Sequence, residues 1–94
     1  MTTARKVVIT GMGVVSPVGS NLDEFWESLK TGKSGIGPIA SFDTTEYKAK
    51  LAAEVKDFDP REYMEKADVL RSDRFAQLGL AAAVQAVEQS GIQG

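Results

Sequence analysis

The apolar residues near the start of the chain are consecutive rather than alternating. Residues 7–9 read Val-Val-Ile, and Val-Val follows at residues 14–15, with two glycines between the runs. A continuous β-branched run is typical of a strand that is buried on both faces of a sheet. Pro17 lacks the N–H that a sheet ladder needs. We therefore predict a buried strand over residues 6–15.

A helical spacing replaces this run after residue 20. Four apolar residues recur at i, i+3, i+4 and i+7, so they share one face of a helix. They are Leu22, Phe25, Trp26 and Leu29. The two aromatic residues among them are expected in the core rather than in a ligand platform. Asn21 and Glu24 have the spacing of a capping box, and Gly32 suits the residue after the last turn. The pattern predicts a helix over residues 21–31.

The middle of the chain has weaker patterns. Residues 33–48 show no sustained period, and we predict a long connection there that packs against another part of the protein. Residues 51–55 place three apolar side chains on one face and Glu54 on the other, which predicts a second strand.

Two helices are predicted after this strand. Residues 59–66 begin with Asp-Pro-Arg-Glu, which is typical of a helix start, and predict a short helix. The longest helix is predicted over residues 72–90, with Ser72 as its cap and Gly91 closing it. Residues 78–84 are apolar almost all round, so we expect this helix to be buried on more than one side.

Small residues on the long helix predict a close approach by another element. They are Gly79, Ala82, Ala83 and Ala86. At the end of the helix, Gly91 followed by Ile92 favours a Schellman ending in which Ile92 contacts Val87.

The composition is that of an ordinary globular protein, with 43% hydrophobic and 26% charged residues among 94. A net charge of −2 argues against a nucleic-acid binder. The chain has no cysteine and no histidine, so it offers no thiolate nucleophile, no imidazole base and no sulfur metal site. We expect neither a metal nor a cofactor. The polar N-terminus and the lack of a long apolar run predict no membrane segment and a cytoplasmic location.

Two predicted strands are too few to cover a helix that is apolar all round, because a stable domain packs two layers around one core. We therefore expect residues 1–94 to be the N-terminal part of a larger α/β protein. The alternative is a small domain that buries the helix in an oligomer.

Gly11 and Gly13 after an apolar strand invite a dinucleotide-binding interpretation. The third glycine of that fingerprint is replaced by Ser16, and the predicted helix begins only near Asn21, too late to hold a pyrophosphate. We favour the alternative that the two glycines permit close packing.

The basic residues Lys66, Arg71 and Arg74 are the candidate partner-binding residues. They would form a patch that docks an acidic protein. The alternative is an ordinary solvated surface, because acidic residues are interleaved with them: Glu65, Asp68 and Asp73.

The residues together closely resemble the N-terminus of β-ketoacyl-acyl-carrier-protein synthases, particularly the elongating type II enzymes. The likeness begins with residues 6–19, which read KVVITGMGVVSPVG. Further matches follow in order at Phe25-Trp26 and at residues 32–36, 42–44, 55–58 and 73–75. They cover essentially the whole chain.

The resemblance implies a thiolase-like fold, an α-β-α-β-α sandwich of two similar halves, in a homodimer. Residues 1–94 would be the N-terminal part of the first half. The implied reaction is a decarboxylative condensation of an acyl thioester with malonyl-acyl carrier protein in fatty acid elongation. The family uses a Cys-His-His set, which suits the reaction because a thiolate is a strong nucleophile and imidazole N–H groups stabilise negative charge.

This chain lacks both residue types, so no catalytic residue carries over, and the set is expected beyond Gly94. The resemblance places Lys66, Arg71 and Arg74 near the surface that docks acyl carrier protein. Ala67 and Leu70 stand where relatives often carry charge. Two alternatives stay open: a polyketide-type ketosynthase or its chain-length partner, and a non-catalytic module that docks an acidic protein.

Overall fold

Helices dominate the structure, a computed structural model that describes residues 4–92. The described elements are α1 (Leu22–Thr31), β1 (Ile36–Pro38), β2 (Leu51–Ala53), a 3₁₀ helix (Pro60–Glu62), α2 (Lys66–Arg71) and α3 (Arg74–Ser90). The radius of gyration is 17.3 Å, against about 12 Å for a compact domain of this length. The elements are therefore spread out, and much apolar surface is exposed.

Helix α1 begins as the sequence predicts. The Glu24 N–H donates to Asn21 Oδ1 at 2.9 Å, which is the first half of the predicted capping box. In the second half, the Glu24 carboxylate accepts from Asn21 Nδ2 at 3.0 Å and from the Ser20 N–H at 3.3 Å, and not from the Asn21 backbone N–H. The helix ends at Gly32, whose φ of 72° lies in the left-handed region.

The apolar face of α1 is not a core in this chain. Trp26 is 61% exposed, and Leu29 is exposed as well, whereas Ser28 is buried and donates to the Val18 carbonyl at 2.6 Å. The expectation that the aromatic residues of α1 form a core is therefore wrong for Trp26. The stripe has helical spacing, but no described element covers it.

Residues 6–15 do not form the predicted strand. They run without sheet pairing, and Val7 and Ile9 are 90% and 82% exposed. The physical reason is that a strand exists only through a neighbouring strand. Among residues 4–92, the bridge next to this run pairs Ser16 with Gly19 in a turn and brings no strand beside it.

The segment instead crosses the backbone of α3 at its two glycines. A Cβ on Gly11 would overlap the Ala86 carbonyl, and one on Gly13 would overlap the Ala82 carbonyl. The close packing predicted for Gly11 and Gly13 is confirmed, but it is made against a helix and not within a buried strand; the approach at Ala82 and Ala86 is confirmed as well. Gly79 takes no part, since outside the backbone of its own helical turns no described atom lies within 4 Å of the place its Cβ would occupy.

Strands β1 and β2 pair antiparallel, with Ile36 opposite Ala53 and Pro38 opposite Leu51. Strand β2 is shorter than predicted, and β1 lies in the stretch predicted as irregular. Strand β1 was not predicted because its three residues include a glycine and a proline, and these are too few to show the alternation of a strand. Beyond Ile39, whose N–H donates to the Lys50 carbonyl, the Glu54 carboxylate accepts from the backbone N–H groups of Ala40 at 2.8 Å and Ser41 at 3.3 Å.

The predicted helix over residues 59–66 is wrong in length: Asp59 accepts from the Arg61 N–H at 2.9 Å and begins only a 3₁₀ turn over Pro60–Glu62. Helix α2, which begins at Lys66, was not predicted. The long helix begins at Arg74, so Ser72 is not its cap. Ser72 lies between α2 and α3, where its hydroxyl donates to the Asp68 carbonyl at 2.7 Å.

Helix α3 is less buried than predicted. Ala81 and Gln77 are its buried residues, while Phe75, Leu80 and Val87 are exposed. The helix closes at Gly91, as predicted. The Schellman ending does not form, because the Ile92 N–H donates to Ser90 Oγ rather than to a carbonyl one turn earlier.

Candidate partner-binding surface

Two of the three predicted basic residues lie at the ends of α2. Lys66 is its first residue and Arg71 its last, and both are exposed. A separation of five residues corresponds to about 7.5 Å along a helix axis and about 140° around it, so the two side chains do not share one face of α2. Their joint part in docking stays a prediction.

Arg74 has internal contacts instead. Its guanidinium carbon lies 4.9 Å from the centroid of the Phe58 ring, and its Nη2 donates to the Val55 carbonyl at 3.3 Å. Phe58 also stacks on Tyr63, with ring centroids 6.1 Å apart. Arg74 therefore fixes the start of α3 to the segment after β2, and its part in docking stays a prediction.

Lys66 and Arg71 form no ion pair with any residue between 4 and 92. The ion pairs there join Lys30 to Glu27 and Arg61 to Asp59. The acidic residues interleaved with them, Glu65, Asp68 and Asp73, are exposed as well. The docking patch and the alternative of an ordinary solvated surface therefore both stay predictions.

Helix α2 is attached to α3 by a residue that the sequence analysis did not single out. Gln77 is buried, and its Nε2 donates to the Val69 carbonyl at 3.1 Å and the Ser72 carbonyl at 3.2 Å. The sequence could have identified Gln77 by its spacing, since Gln77, Ala81 and Gln85 stand at i, i+4 and i+8. This spacing places two glutamines and the buried Ala81 on one inward face of the helix.

Three carboxylates have pKa values lowered by local hydrogen bonds. Hydrogen bonds from the Thr45 side chain and N–H lower the pKa of Asp43, and those from Ser41 and then from the Ala40 N–H lower that of Glu54. The hydrogen bonds and charge of Arg61 lower the pKa of Asp59. All three carboxylates are therefore favoured in the ionised form, which suits a structural acceptor and not a general acid.

An open cleft of about 1010 Å³ lies between α1 and the β1–β2 hairpin. Its ionisable lining is mostly acidic: Asp23, Glu24, Glu27, Glu54, Asp57 and Glu62, with Lys33 and Lys56. Within residues 4–92 no three carboxylates are arranged to hold a metal ion. The described helices also include none that is long and apolar enough to cross a membrane.

Comparison with known families gives a match over nearly the whole chain. The sequence model described as "Beta-ketoacyl synthase, N-terminal domain" matches residues 4–94. This finding confirms the resemblance drawn from the sequence.

Curated relatives agree with this match. The chain is 47% identical over 89 residues to a 3-oxoacyl-[acyl-carrier-protein] synthase 2 of Vibrio cholerae, with 95% of this chain and 22% of that protein covered. It is 36% identical over 86 residues to the synthase of the same name from Synechocystis, with 92% and 21% covered. The chain spans about a fifth of the length of these relatives.

The structure matches a solved ketosynthase. The superposition with the structure described as the ishigamide ketosynthase/chain length factor has a TM-score of 0.83 at 36% identity, and it covers 92% of this chain and 21% of the other. The predicted fold class is confirmed: the chain has the fold of the N-terminal segment of a thiolase-like ketosynthase.

Proposed function

The chain belongs to the β-ketoacyl synthase N-terminal domain family, and from this membership we propose that it is the N-terminal segment of an elongating 3-oxoacyl-[acyl-carrier-protein] synthase. The observation that supports this most is the 47% identity to the Vibrio cholerae synthase 2, which extends over 95% of the chain. In this proposal residues 1–94 form the first part of the first thiolase-like half.

The proposed reaction extends an acyl chain by condensation. A cysteine thiolate of the enzyme attacks the acyl thioester of acyl carrier protein, forms an acyl-cysteine thioester and releases the thiolate of the carrier protein. Malonyl-carrier protein then loses carbon dioxide, and the resulting carbanion attacks the acyl-cysteine thioester, forming a carbon–carbon bond and releasing the cysteine thiolate. The chain has no cysteine and no histidine. It therefore supplies none of the catalytic groups, and in the proposal another part of the protein supplies them.

The role of this segment is then to help build the fold and to meet the carrier protein. Lys66 and Arg71 are exposed and form no ion pair with another described residue. Two such cations would attract an acidic carrier protein and hold its orientation. We also propose that the whole protein is a homodimer, as the family resemblance implies.

A polyketide-type ketosynthase, or its chain-length partner, is the second candidate. The match to the ishigamide ketosynthase/chain length factor favours it, at 36% identity and a TM-score of 0.83. Identity over this segment is higher to the Vibrio cholerae synthase 2. The elongating synthase is therefore the preferred assignment.

A segment exchange tests the proposal. The Vibrio cholerae synthase 2 would be made with its matching 89-residue segment replaced by that of this chain; we call this protein the hybrid synthase. If the chain is an elongating-synthase segment, the hybrid synthase folds and condenses acyl and malonyl groups on acyl carrier protein. An insoluble hybrid, or a folded one without condensing activity, would overturn the assignment. A stand-alone interaction module predicts the same failure.

A further inference from the structure

Gln77 closes the C-terminal end of a helix that is not its own. The last four carbonyls of any helix lack partners within it, and in α2 they belong to residues 68–71. Gln77 Nε2 donates to the Val69 carbonyl at 3.1 Å, and the Ser72 hydroxyl donates to the Asp68 carbonyl at 2.7 Å. Two of the four carbonyls are thus satisfied by side chains at and beyond the junction.

The same amide fixes the turn that joins the helices. Its Nε2 also lies 3.2 Å from the Ser72 carbonyl and 3.3 Å from Ser72 Oγ. Gln77 itself is only 7% exposed. A buried amide with several acceptors is costly to move, because leaving these groups unpaired incurs their full desolvation.

Besides this junction, α2 contacts the 3₁₀ helix over Pro60–Glu62. Helix α2 has six residues, and the side chain of its N-cap residue Glu65 makes no capping hydrogen bond to a described group. Helices of this length do not persist in water without tertiary contacts. The position of Lys66 and Arg71 therefore depends on how firmly α2 is fixed to α3.

We propose that Gln77 is a positioning residue for partner docking: its amide caps α2 from α3 and thereby holds Lys66 and Arg71 in place for the carrier protein. The inference rests on the proposed function for its docking step, while the capping step stands on the hydrogen bonds alone.

The two steps are tested separately in the hybrid synthase. Native-state hydrogen exchange of α2 relative to α1 tests the capping. Gln77→Glu keeps the size of the side chain but, when ionised, offers no donor to the carbonyls. We expect α2 protection to fall about tenfold at neutral pH with α1 unchanged. Gln77→Met should cause the same loss.

The pH profile distinguishes a lost donor from a simple packing defect. Protonation of the introduced Glu restores one O–H donor, so α2 protection in Gln77→Glu should recover as the pH is lowered, whereas Gln77→Met should not recover. Glu88→Met, on the exposed side of α3, is the matched control and should leave α2 unchanged. Unaltered α2 protection in both Gln77 variants would overturn the capping step.

Carrier-protein affinity tests the docking step. Gln77→Glu should raise the Kd for acyl carrier protein about fivefold, and it should add nothing once Lys66→Glu and Arg71→Glu are present. Equal losses in both backgrounds would show that Gln77 does not act through these cations and would overturn the docking step. A further outcome is that the double charge reversal leaves the Kd unchanged while the Gln77 variants still lose α2 protection. In that case the docking part of the proposed function fails and the capping step stands.

Discussion

The Gln85 side chain accepts a hydrogen bond from the Val14 N–H at 3.1 Å, across 71 residues of sequence. The other end of the same amide donates to the Ser20 carbonyl at 2.7 Å and to the Tyr63 hydroxyl at 3.1 Å. One glutamine of α3 therefore joins the N-terminal segment, the start of α1 and the segment before α2. In a chain with few buried apolar residues, this junction fixes the arrangement of these parts.

Gln85→Leu tests this junction. The substitution leaves the Val14 N–H and the Ser20 carbonyl without partners in a part-buried place, so the opening free energy of residues 11–15 should fall by about 2 kcal/mol. Native-state hydrogen exchange of the hybrid synthase measures it. Gln89→Leu, which removes only the exposed bond to the Met12 N–H, should have a smaller effect. Equal effects would contradict the central role of Gln85.

Alanine substitutions at Gly13 and Gly79 should have opposite effects on stability. Gly13→Ala places a Cβ against the Ala82 carbonyl, so the segment must move off α3 and the melting temperature of the hybrid synthase should fall. Gly79→Ala meets no described atom within 4 Å and replaces a glycine inside a helix, which stabilises by about 0.5–1 kcal/mol. Thermal unfolding by calorimetry compares them. A Gly13→Ala protein as stable as Gly79→Ala would refute the contact.

Local signals along the chain predicted several helix ends, though not the start of α3 or the Schellman ending. Asn21 with Glu24, Asp59 before Pro60, and Gly32 each act as their residue type and spacing indicate, because caps depend on bonds within a few residues. The strand over residues 6–15 failed for the opposite reason. A strand requires a partner strand to pair with. A β-branched run shows that a segment is suited to a sheet, but it does not supply that partner.

In the candidate site, too, the sequence identified some residues and missed the contacts of others. Lys66 and Arg71 could be selected by charge alone, and their exposure fits that selection. The contact of Arg74 with Phe58 and the cap that Gln77 provides join residues distant in sequence or on different helices. Such contacts follow from the packing of the segments, which the periodicity of each segment alone does not determine.

Charge reversal tests the docking surface. Lys66→Glu with Arg71→Glu should weaken binding of acyl carrier protein to the hybrid synthase about tenfold at low salt, because two attractions become repulsions. The binding should also lose much of its dependence on ionic strength. Lys30→Glu is the control, since Lys30 is paired with Glu27 on α1. Titration calorimetry at two salt concentrations gives both quantities, and unchanged affinity would return α2 to an ordinary solvated surface.

The connection after β1 should open in acid. Hydrogen bonds from Ser41 and Ala40 lower the pKa of Glu54 from 4.5, so its folded pKa lies below its unfolded one. The contribution of Glu54 to stability is therefore present above about pH 4.5 and is lost as the pH falls through the folded pKa. Exchange protection of the Ala40 and Ser41 amides should follow this course. Glu54→Ala should lack the protection at every pH, and a pH-independent wild type would contradict the account.

The condensing activity of the hybrid synthase tests the central claim most directly. Formation of 3-oxoacyl-carrier protein from acyl and malonyl carrier proteins would be followed with purified, folded hybrid and with the Vibrio cholerae synthase 2 side by side. If the chain is the N-terminal segment of an elongating synthase, kcat/KM of the hybrid should lie within about tenfold of the parent, a difference of about 1.4 kcal/mol in activation free energy. A folded hybrid that forms no 3-oxoacyl product would contradict it.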